Sequence, residues 1–193
     1  MVEHNTLLPE FDLFAGSLTK SEKAAVLQWL NVGYDLIRNY ELSGNIPQGL
    51  TELQVSSLVE DFTKAIQKAV VCTQTVYRGL SAGNWRPGSI RFLRELVSGS
   101  ECITFVSYDS ATFCEAMGYS FCRTTNEDED RDLSVLLRIS PRTARFLAPF
   151  KHRTCNEFEV VLLKKASYHR TAVRRFDAER LGQEFWAVDI REL

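Results

Sequence analysis

At Glu157-Phe158-Glu159-Val160-Val161-Leu162-Leu163, two carboxylates head an apolar run. In an extended strand, residues i and i+2 point to the same face, so both acids project the same way. Two like charges side by side repel each other and lose hydration, which costs stability. A cationic reaction centre or a basic substrate would offset that cost, so we expect the chemistry here. The alternative is an exposed edge strand that turns Phe158 and Val160 to the core and both acids to solvent.

The last two-thirds of the chain has the texture of a sheet. β-Branched and apolar residues predict six strands, at 73–80, 102–107, 133–139, 157–163, 172–176 and 185–190. Short helices are predicted at 89–97 and 111–121, a short helix or loop at 141–150, and a solvated acidic loop at 124–132. Because no regular long helices separate the strands, the pattern disfavours a doubly wound parallel sheet and favours mainly antiparallel pairing.

The first third is predicted to be helical. Thr19-Lys20-Ser21-Glu22 fits a capping box, and the apolar residues at 25–37 follow a helical face. A break at 43–47 contains Gly and Pro, and a second helix is predicted from about 51 to 70. We therefore predict an α+β protein, with an N-terminal helical segment at 1–72 and one compact core at 73–193.

Composition bounds the class of protein. The chain has 193 residues, of which 45% are hydrophobic and 25% charged, and its formal net charge is −2, as expected for a soluble globular protein. This near-neutral charge disfavours nucleic acid or an anionic membrane as a partner, and no apolar stretch approaches the roughly 20 residues that span a bilayer. The N-terminus lacks the features of a Sec signal peptide. Five scattered cysteines and three scattered histidines predict a reducing, cytoplasmic setting, no disulfide framework and no metal site.

Two further positions have a functional reading beside a plain one. Arg78 could clamp a diphosphate through bidentate hydrogen bonds, or simply lay its stem along the sheet with its head in water. Gly79, the next residue, would let a ligand approach the backbone closely. Ser107 could be a hydrolase nucleophile, which the absence of a GxSxG segment disfavours, or it could end a strand or cap a helix. No GxGxxG or GxxxxGK[ST] segment is present, which disfavours Rossmann and P-loop nucleotide binding.

The order of these elements resembles a known family. Val76-Tyr77-Arg78-Gly79-Leu80, Phe105-Val106-Ser107 and the Glu-x-Glu strand resemble the mono-ADP-ribosyltransferases of the Arg-Ser-Glu clade, with the key residues 29 and 52 positions apart. The resemblance covers roughly residues 75–193. It implies a split β-sandwich of two mainly antiparallel sheets that hold NAD in a cleft, often behind N-terminal helices.

The resemblance also implies roles for single residues. Arg78 would hold the NAD phosphates with the backbone of Gly79 near the nicotinamide amide, and Ser107 would orient the catalytic Glu159. Glu157 would receive the acceptor side chain, because a Glu-x-Glu pair resembles the arginine-modifying members. In the loop at 149–156, Phe150 would contact the target protein, although an ordinary core phenylalanine is an equal alternative. The implied reaction transfers ADP-ribose from NAD to arginine on target proteins and releases nicotinamide, with no metal.

The serine motif departs from the family pattern. Ser107-Tyr108-Asp109 stands where the family usually has Ser-Thr-Ser, which leaves the support of the cleft floor in doubt. Two alternatives therefore stay open: an NAD glycohydrolase, in which water is the acceptor, and an inactive relative that serves as a protein-interaction module. The resemblance suggests a phage-encoded or bacterial effector or toxin that acts in the cytoplasm of a host or target cell. Nucleic acid as the acceptor is disfavoured because clustered Lys and Arg are few.

Overall fold

The computed structural model describes residues 8–81, 89–99, 101–122, 133–147, 159–176 and 184–193. The chain forms two compact units. The first unit contains Met1–Cys72, Val106–Ser110 and Thr143–Lys164, and the second contains Thr73–Phe105, Ala111–Arg142 and Lys165–Leu193. Both helices and strands are present, so the α+β class is confirmed. Within the described ranges, no helix combines the length and apolarity needed to cross a membrane.

Helices dominate the first unit. They are α1 (Leu8–Ser17), α2 (Lys20–Gln28), a π-helical turn at Trp29–Gly33, α3 (Tyr34–Ser43) and α4 (Glu52–Lys68). Two of them begin with a capping box. The side chains of Thr19 and Thr51 each accept a hydrogen bond from the backbone amide of the third helical residue, and the side chain of that residue accepts a hydrogen bond from the backbone amide of the threonine. The predicted helices are therefore present, but a π turn interrupts the first of them.

The first unit also has three short strands, β1 (Val71–Cys72), β6 (Ala144–Phe146) and β7 (Glu159–Leu162). β6 pairs antiparallel with both of the others. The helices bury an apolar core against these strands, and this core includes Val161 of β7 and Leu147. Burial of its apolar surface is the main stabilising contribution in the unit. The strand at Ala144–Phe146 corrects the prediction of a short helix or loop at 141–150. Its hydrogen bonds go to strands distant in sequence, which local propensity does not reveal.

The second unit is mostly sheet. Its strands are β2 (Val76–Ser81), β3 (Cys102–Thr104), β5 (Leu133–Ser140), β8 (Ser167–Phe176) and β9 (Glu184–Glu192), with helices α5 (Ser89–Ser98) and α6 (Glu115–Phe121). The order is β2-β5-β9-β8-β3, and every pair is antiparallel except β5–β9, which is parallel. The first two residues of β4 (Asp109–Thr112) belong to the first unit and the last two belong to the second. In the second unit Thr112 pairs with Tyr77 of β2.

The structure corrects two more element predictions. A helix was predicted at 111–121, but Ala111 and Thr112 are the last two residues of β4, and the helix α6 is shorter than predicted. The predicted strand at 102–107 ends at Thr104, so Ser107 lies in the bend between β3 and β4 rather than at a strand end. Mainly antiparallel pairing, by contrast, is confirmed among the described strands.

Candidate functional site

Glu159 opens β7 and is half-buried, whereas the next three residues of the strand are fully buried. Its backbone carbonyl accepts a hydrogen bond from the amide of Leu147 at 3.0 Å, which fixes the strand start. Its carboxylate Oε1 accepts a hydrogen bond from the indole Nε1 of Trp29 at 3.1 Å. The carboxylate is therefore held at the edge of an apolar layer, where a fixed negative charge acts more strongly than in water.

Trp29 was predicted only as one residue of an apolar helical face. In the structure it is 2% exposed and stacks on Phe62, with ring centroids 4.5 Å apart and an interplanar angle of 15°. It also meets the ring of Tyr108 edge-on at 6.4 Å. Trp29 and its hydrogen-bond partner Glu159 are 130 residues apart in the chain, and no local sequence pattern connects them.

Ser107 is buried, with 2% of its surface exposed. Its hydroxyl Oγ donates a long hydrogen bond of 3.3 Å to the carbonyl oxygen of Tyr108. The next residue, Tyr108, reaches the Trp29 ring that in turn contacts Glu159. Ser107 and Glu159 thus belong to the same compact unit and are both connected to one aromatic cluster.

The two positions that depart from the family pattern have structural partners. The ring of Tyr108 packs edge-on against Phe62 at 5.3 Å, and its hydroxyl lies 3.2 Å from the hydroxyl of Thr63. Asp109 is buried, and its Oδ1 lies 3.5 Å from Nε of Arg38 on α3. Tyr108 and Asp109 therefore fasten the segment after Ser107 to the helices.

A second ion pair fastens the end of β7 to α3. Lys164 Nζ donates to Glu41 Oε1 at 2.7 Å and lies 5.1 Å from the centroid of the Tyr108 ring. Burial disfavours the charged amine, but the hydrogen bond to Glu41 and the electrostatic interactions with Tyr108 and Glu41 together outweigh it and raise the pKa of Lys164. Glu41 Oε2 also accepts a 3.5 Å bond from the backbone amide of Tyr108. Glu41 therefore neutralises the charge of Lys164 and also contacts the backbone at Tyr108.

Arg78 lies in β2 of the second unit, half-buried and opposite Leu137 of β5. Gly79, the next residue, lies against α6. A Cβ added there would be 2.0 Å from the carbonyl oxygen of Gly118 and 2.9 Å from the amide nitrogen of Cys122. The absence of a side chain at Gly79 thus lets a helix approach the strand, a role that the sequence interpretation did not foresee.

The remaining predicted site residues, Glu157 and Phe150, lie outside the described residues. Burial raises the pKa of the Cys122 thiol to about 12, which makes it a poor nucleophile. Over the part of the chain that is described, no cluster of His, Cys, Asp and Glu has the arrangement of a metal site. Glu159 and Ser107 in the first unit, and Arg78 in the second, are thus the described polar candidates.

Comparison with solved structures identifies the fold as that of ADP-ribosyltransferase toxins. The chain is similar to the ADP-ribosyltransferase Vis of Vibrio splendidus, in a complex with agmatine, with 15% identity and a TM-score of 0.70 over 98% of this chain and 83% of that one. It is similar to the ADP-ribosylating toxin BECa of C. perfringens, with NADH, at 18% identity and a TM-score of 0.69, covering 96% of this chain and 46% of that one.

A third similar structure is Plx2a, an ADP-ribosyltransferase toxin from Paenibacillus larvae. It is 18% identical, with a TM-score of 0.64 over 96% of this chain and 92% of that one. No protein-family model matches the chain, and neither does any curated protein. The predicted ADP-ribosyltransferase-like fold is therefore confirmed as a fold, whereas activity has to be argued from the residues.

Proposed function

We propose that the chain is a mono-ADP-ribosyltransferase that transfers ADP-ribose from NAD to arginine side chains of target proteins and releases nicotinamide. One observation carries the proposal. A chain that bears Arg78, Ser107, Glu157 and Glu159 in this order also has the fold of ADP-ribosyltransferase toxins over 98% of its length. Fold alone does not fix activity, which depends on the chemistry of these residues.

Glu159 is proposed as the catalytic carboxylate. When the bond between nicotinamide and ribose breaks, positive charge develops on the ribose of NAD. A preorganised carboxylate lowers the barrier most when it is aimed at that developing charge. The half-buried position of Glu159 and its indole hydrogen bond support this role, because the charge is fixed before the reaction begins.

The other candidates bind and orient. The guanidinium of Arg78 suits a diphosphate, since it can donate two parallel hydrogen bonds to phosphate oxygens. The backbone of Gly79 lies beside the nicotinamide amide in this proposal, and Ser107 orients Glu159. The proposal includes the NAD cleft of a split β-sandwich, a core at 73–193 that carries the named residues, and contact of Phe150 with the target. BECa, which is similar in fold, has been solved with NADH, which supports a dinucleotide ligand.

Arginine is the proposed acceptor because of Glu157. A guanidinium is always protonated in proteins and is therefore a poor nucleophile. A carboxylate beside it can orient the attacking nitrogen and accept its proton as the new bond to ribose forms. The Vis toxin, similar in fold, forms a complex with agmatine, which carries the same guanidinium group, and this supports a guanidinium acceptor.

The setting follows from the proposed reaction. The structures similar to this chain include toxins, which supports a toxin or effector role. We propose that the enzyme is of phage or bacterial origin and modifies proteins in the cytoplasm of a host or target cell. Neither a membrane nor a metal takes part in this proposal, and nucleic acid is a less favoured acceptor than protein.

The test is transfer of ADP-ribose to small acceptors. The full chain is incubated with NAD and either agmatine or cadaverine, an amine without a guanidinium, and products are identified by mass spectrometry. We expect ADP-ribosyl-agmatine only. Glu159→Ala should lower the rate by about a hundredfold or more, whereas Glu60→Gln, at an exposed helical site, should not change it. Full activity of Glu159→Ala would refute the site assignment.

A second variant separates transfer from hydrolysis. Glu157→Gln should lower transfer to agmatine while nicotinamide release persists, because water needs no carboxylate to orient a guanidinium. Nicotinamide release by the wild type without transfer to any guanidinium acceptor would favour an NAD glycohydrolase. Calorimetry with NAD tests the interaction-module alternative, which predicts that no binding is observed.

A further inference from the structure

Glu159 is held by a group from the N-terminal helices. The indole Nε1 of Trp29, at the end of α2, donates to Glu159 Oε1 at 3.1 Å, and both residues belong to the first unit. On the basis of the proposed function, we infer that Trp29 is a positioning residue for Glu159. Its indole N–H fixes the direction in which the carboxylate faces the ribose of NAD.

The donor has little freedom to move. The Trp29 ring stacks on Phe62 and meets Tyr34 edge-on at 6.2 Å and Tyr108 edge-on at 6.4 Å. Packed on three sides, the ring cannot rotate without opening the core, where interiors are close-packed. The N–H vector is therefore fixed by the aromatic cluster rather than by the hydrogen bond itself.

The donor is also chemically selective. An indole N–H donates and never accepts, so its partner must be an acceptor such as a carboxylate oxygen. A hydroxyl in its place could turn and accept a hydrogen bond instead. Trp29 thus supplies a donor, and only a donor, to Oε1 of Glu159.

The helix geometry changes at the residue that carries the donor. The π-helical turn begins at Trp29 and ends at Gly33, between two α-helices. Such turns are rare within α-helices and are frequent at functional sites. At Trp29 the backbone amide still bonds to the carbonyls of Ala25 and Val26, so the ring is anchored where the helix widens.

A purely structural explanation makes a different prediction. A buried tryptophan usually needs a hydrogen-bond partner, and Glu159 could simply satisfy it. In that case Trp29→Phe, which keeps a stacked ring, would change activity only as far as it changes the folded fraction. If Trp29 positions the carboxylate, the folded variant loses turnover but still binds NAD, because a ring that can stack on Phe62 is kept while the N–H donor is lost.

The first measurement is steady-state kinetics of ADP-ribosyl transfer to agmatine. For Trp29→Phe we expect kcat to fall by about ten- to a hundredfold, the value of one hydrogen bond to a charged group, with the KM for NAD changed less than twofold. The matched control is Trp186→Phe, at a half-buried position in β9, which should keep wild-type kcat. Wild-type kcat in folded Trp29→Phe would overturn the inference.

A second measurement does not depend on activity or on the stability of Trp29→Phe. In ¹⁵N–¹H spectra of the full chain, Glu159→Gln should move the Trp29 indole cross-peak upfield in the proton dimension, because the charged acceptor is lost, while Glu60→Gln leaves it unchanged. An unmoved peak in Glu159→Gln overturns the contact. If the peak moves in Glu159→Gln but the wild-type chain transfers no ADP-ribose, the contact exists and the proposed function is overturned. The catalytic use of the contact is then overturned with it.

Discussion

Replacement of Gly79 by alanine tests how β2 and α6 of the second unit fit together. The added Cβ would lie 2.0 Å from the Gly118 carbonyl oxygen, 2.9 Å from the Cys122 amide nitrogen and 2.9 Å from Phe121 Cβ, whereas real Cβ contacts almost never fall below 3.0 Å. Two of these three neighbours are backbone atoms, so rotation of a side chain cannot relieve the clash. The helix must move away from the strand by about 1 Å.

The expected cost follows from that movement. Overpacking of a close-packed interior costs typically about 1–3 kcal/mol. Gly79→Ala should lie near the upper end, at about 3 kcal/mol, because backbone has to shift and because β2 pairs with strands on both sides. For a chain of this length each kcal/mol corresponds to roughly 2–4 °C in Tm, so we expect a decrease of about 6–12 °C.

The assay is thermal and urea unfolding followed by far-UV circular dichroism. Gly16→Ala is the matched control, because no atom lies within 4 Å of a Cβ added at Gly16 in α1. This control should be neutral or stabilised by up to about 1 kcal/mol, the helix propensity of alanine over glycine. A Tm for Gly79→Ala within 2 °C of wild type would refute the packing argument, because the helix would then have room to spare.

The same variant separates two roles of Gly79. NAD binding is measured by calorimetry well below the lowered Tm, where Gly79→Ala is folded. Unchanged affinity would mean that the glycine is required for packing with α6 alone. A tenfold or greater loss in the folded variant would support the proposed proximity of its backbone to the nicotinamide amide.

Two further predictions concern charged pairs of the first unit. The hydrogen bond from Lys68 lowers the pKa of Glu22, so the stability it contributes is present above the ordinary carboxyl pKa and is lost as the pH falls through the lowered one. Lys68→Met should therefore cost about 1 kcal/mol near pH 7 and progressively less as the pH falls below the ordinary carboxyl pKa, with Lys64→Met as a surface control. Asp109→Asn, which removes the charge beside Arg38, should cost about 2 kcal/mol in urea unfolding, the order of one polar contact to a charged group. A pH-independent loss for Lys68→Met, or a loss below 0.5 kcal/mol for Asp109→Asn, would contradict these assignments.

The helices of the first unit were predictable because their signals are local. The capping box at Thr19 reads directly from residues three positions apart, and the structure contains both of its hydrogen bonds. The π turn at Trp29 has no such signature, since the apolar pattern continues through it. The short strand at Ala144–Phe146 was missed for a related reason. It exists through pairing with β1 and β7, and long-range pairing leaves little trace in local propensity.

The candidate site shows the same division. Glu159 could be singled out because a carboxylate at the head of an apolar run conflicts with its surroundings, and such conflicts mark functional positions. Its contact with Trp29 could not be predicted, because the two residues are 130 positions apart and each fits an ordinary local pattern. At Gly79 the sequence suggested ligand approach to the backbone, and the structure adds a packing role that could not be predicted, since α6 lies where a side chain would stand.

The departure at Tyr108 and Asp109 has a different meaning once the first unit is known. From sequence it put the support of the cleft floor in doubt. In the structure Tyr108 fills the aromatic core of the helices, and Asp109 pairs with Arg38 of α3. A smaller Thr and Ser at these positions would leave a cavity in that core and would remove the carboxylate that lies beside Arg38. The unusual motif and the N-terminal helices therefore depend on each other, and the departure is explained by packing without any loss of the Glu159 carboxylate.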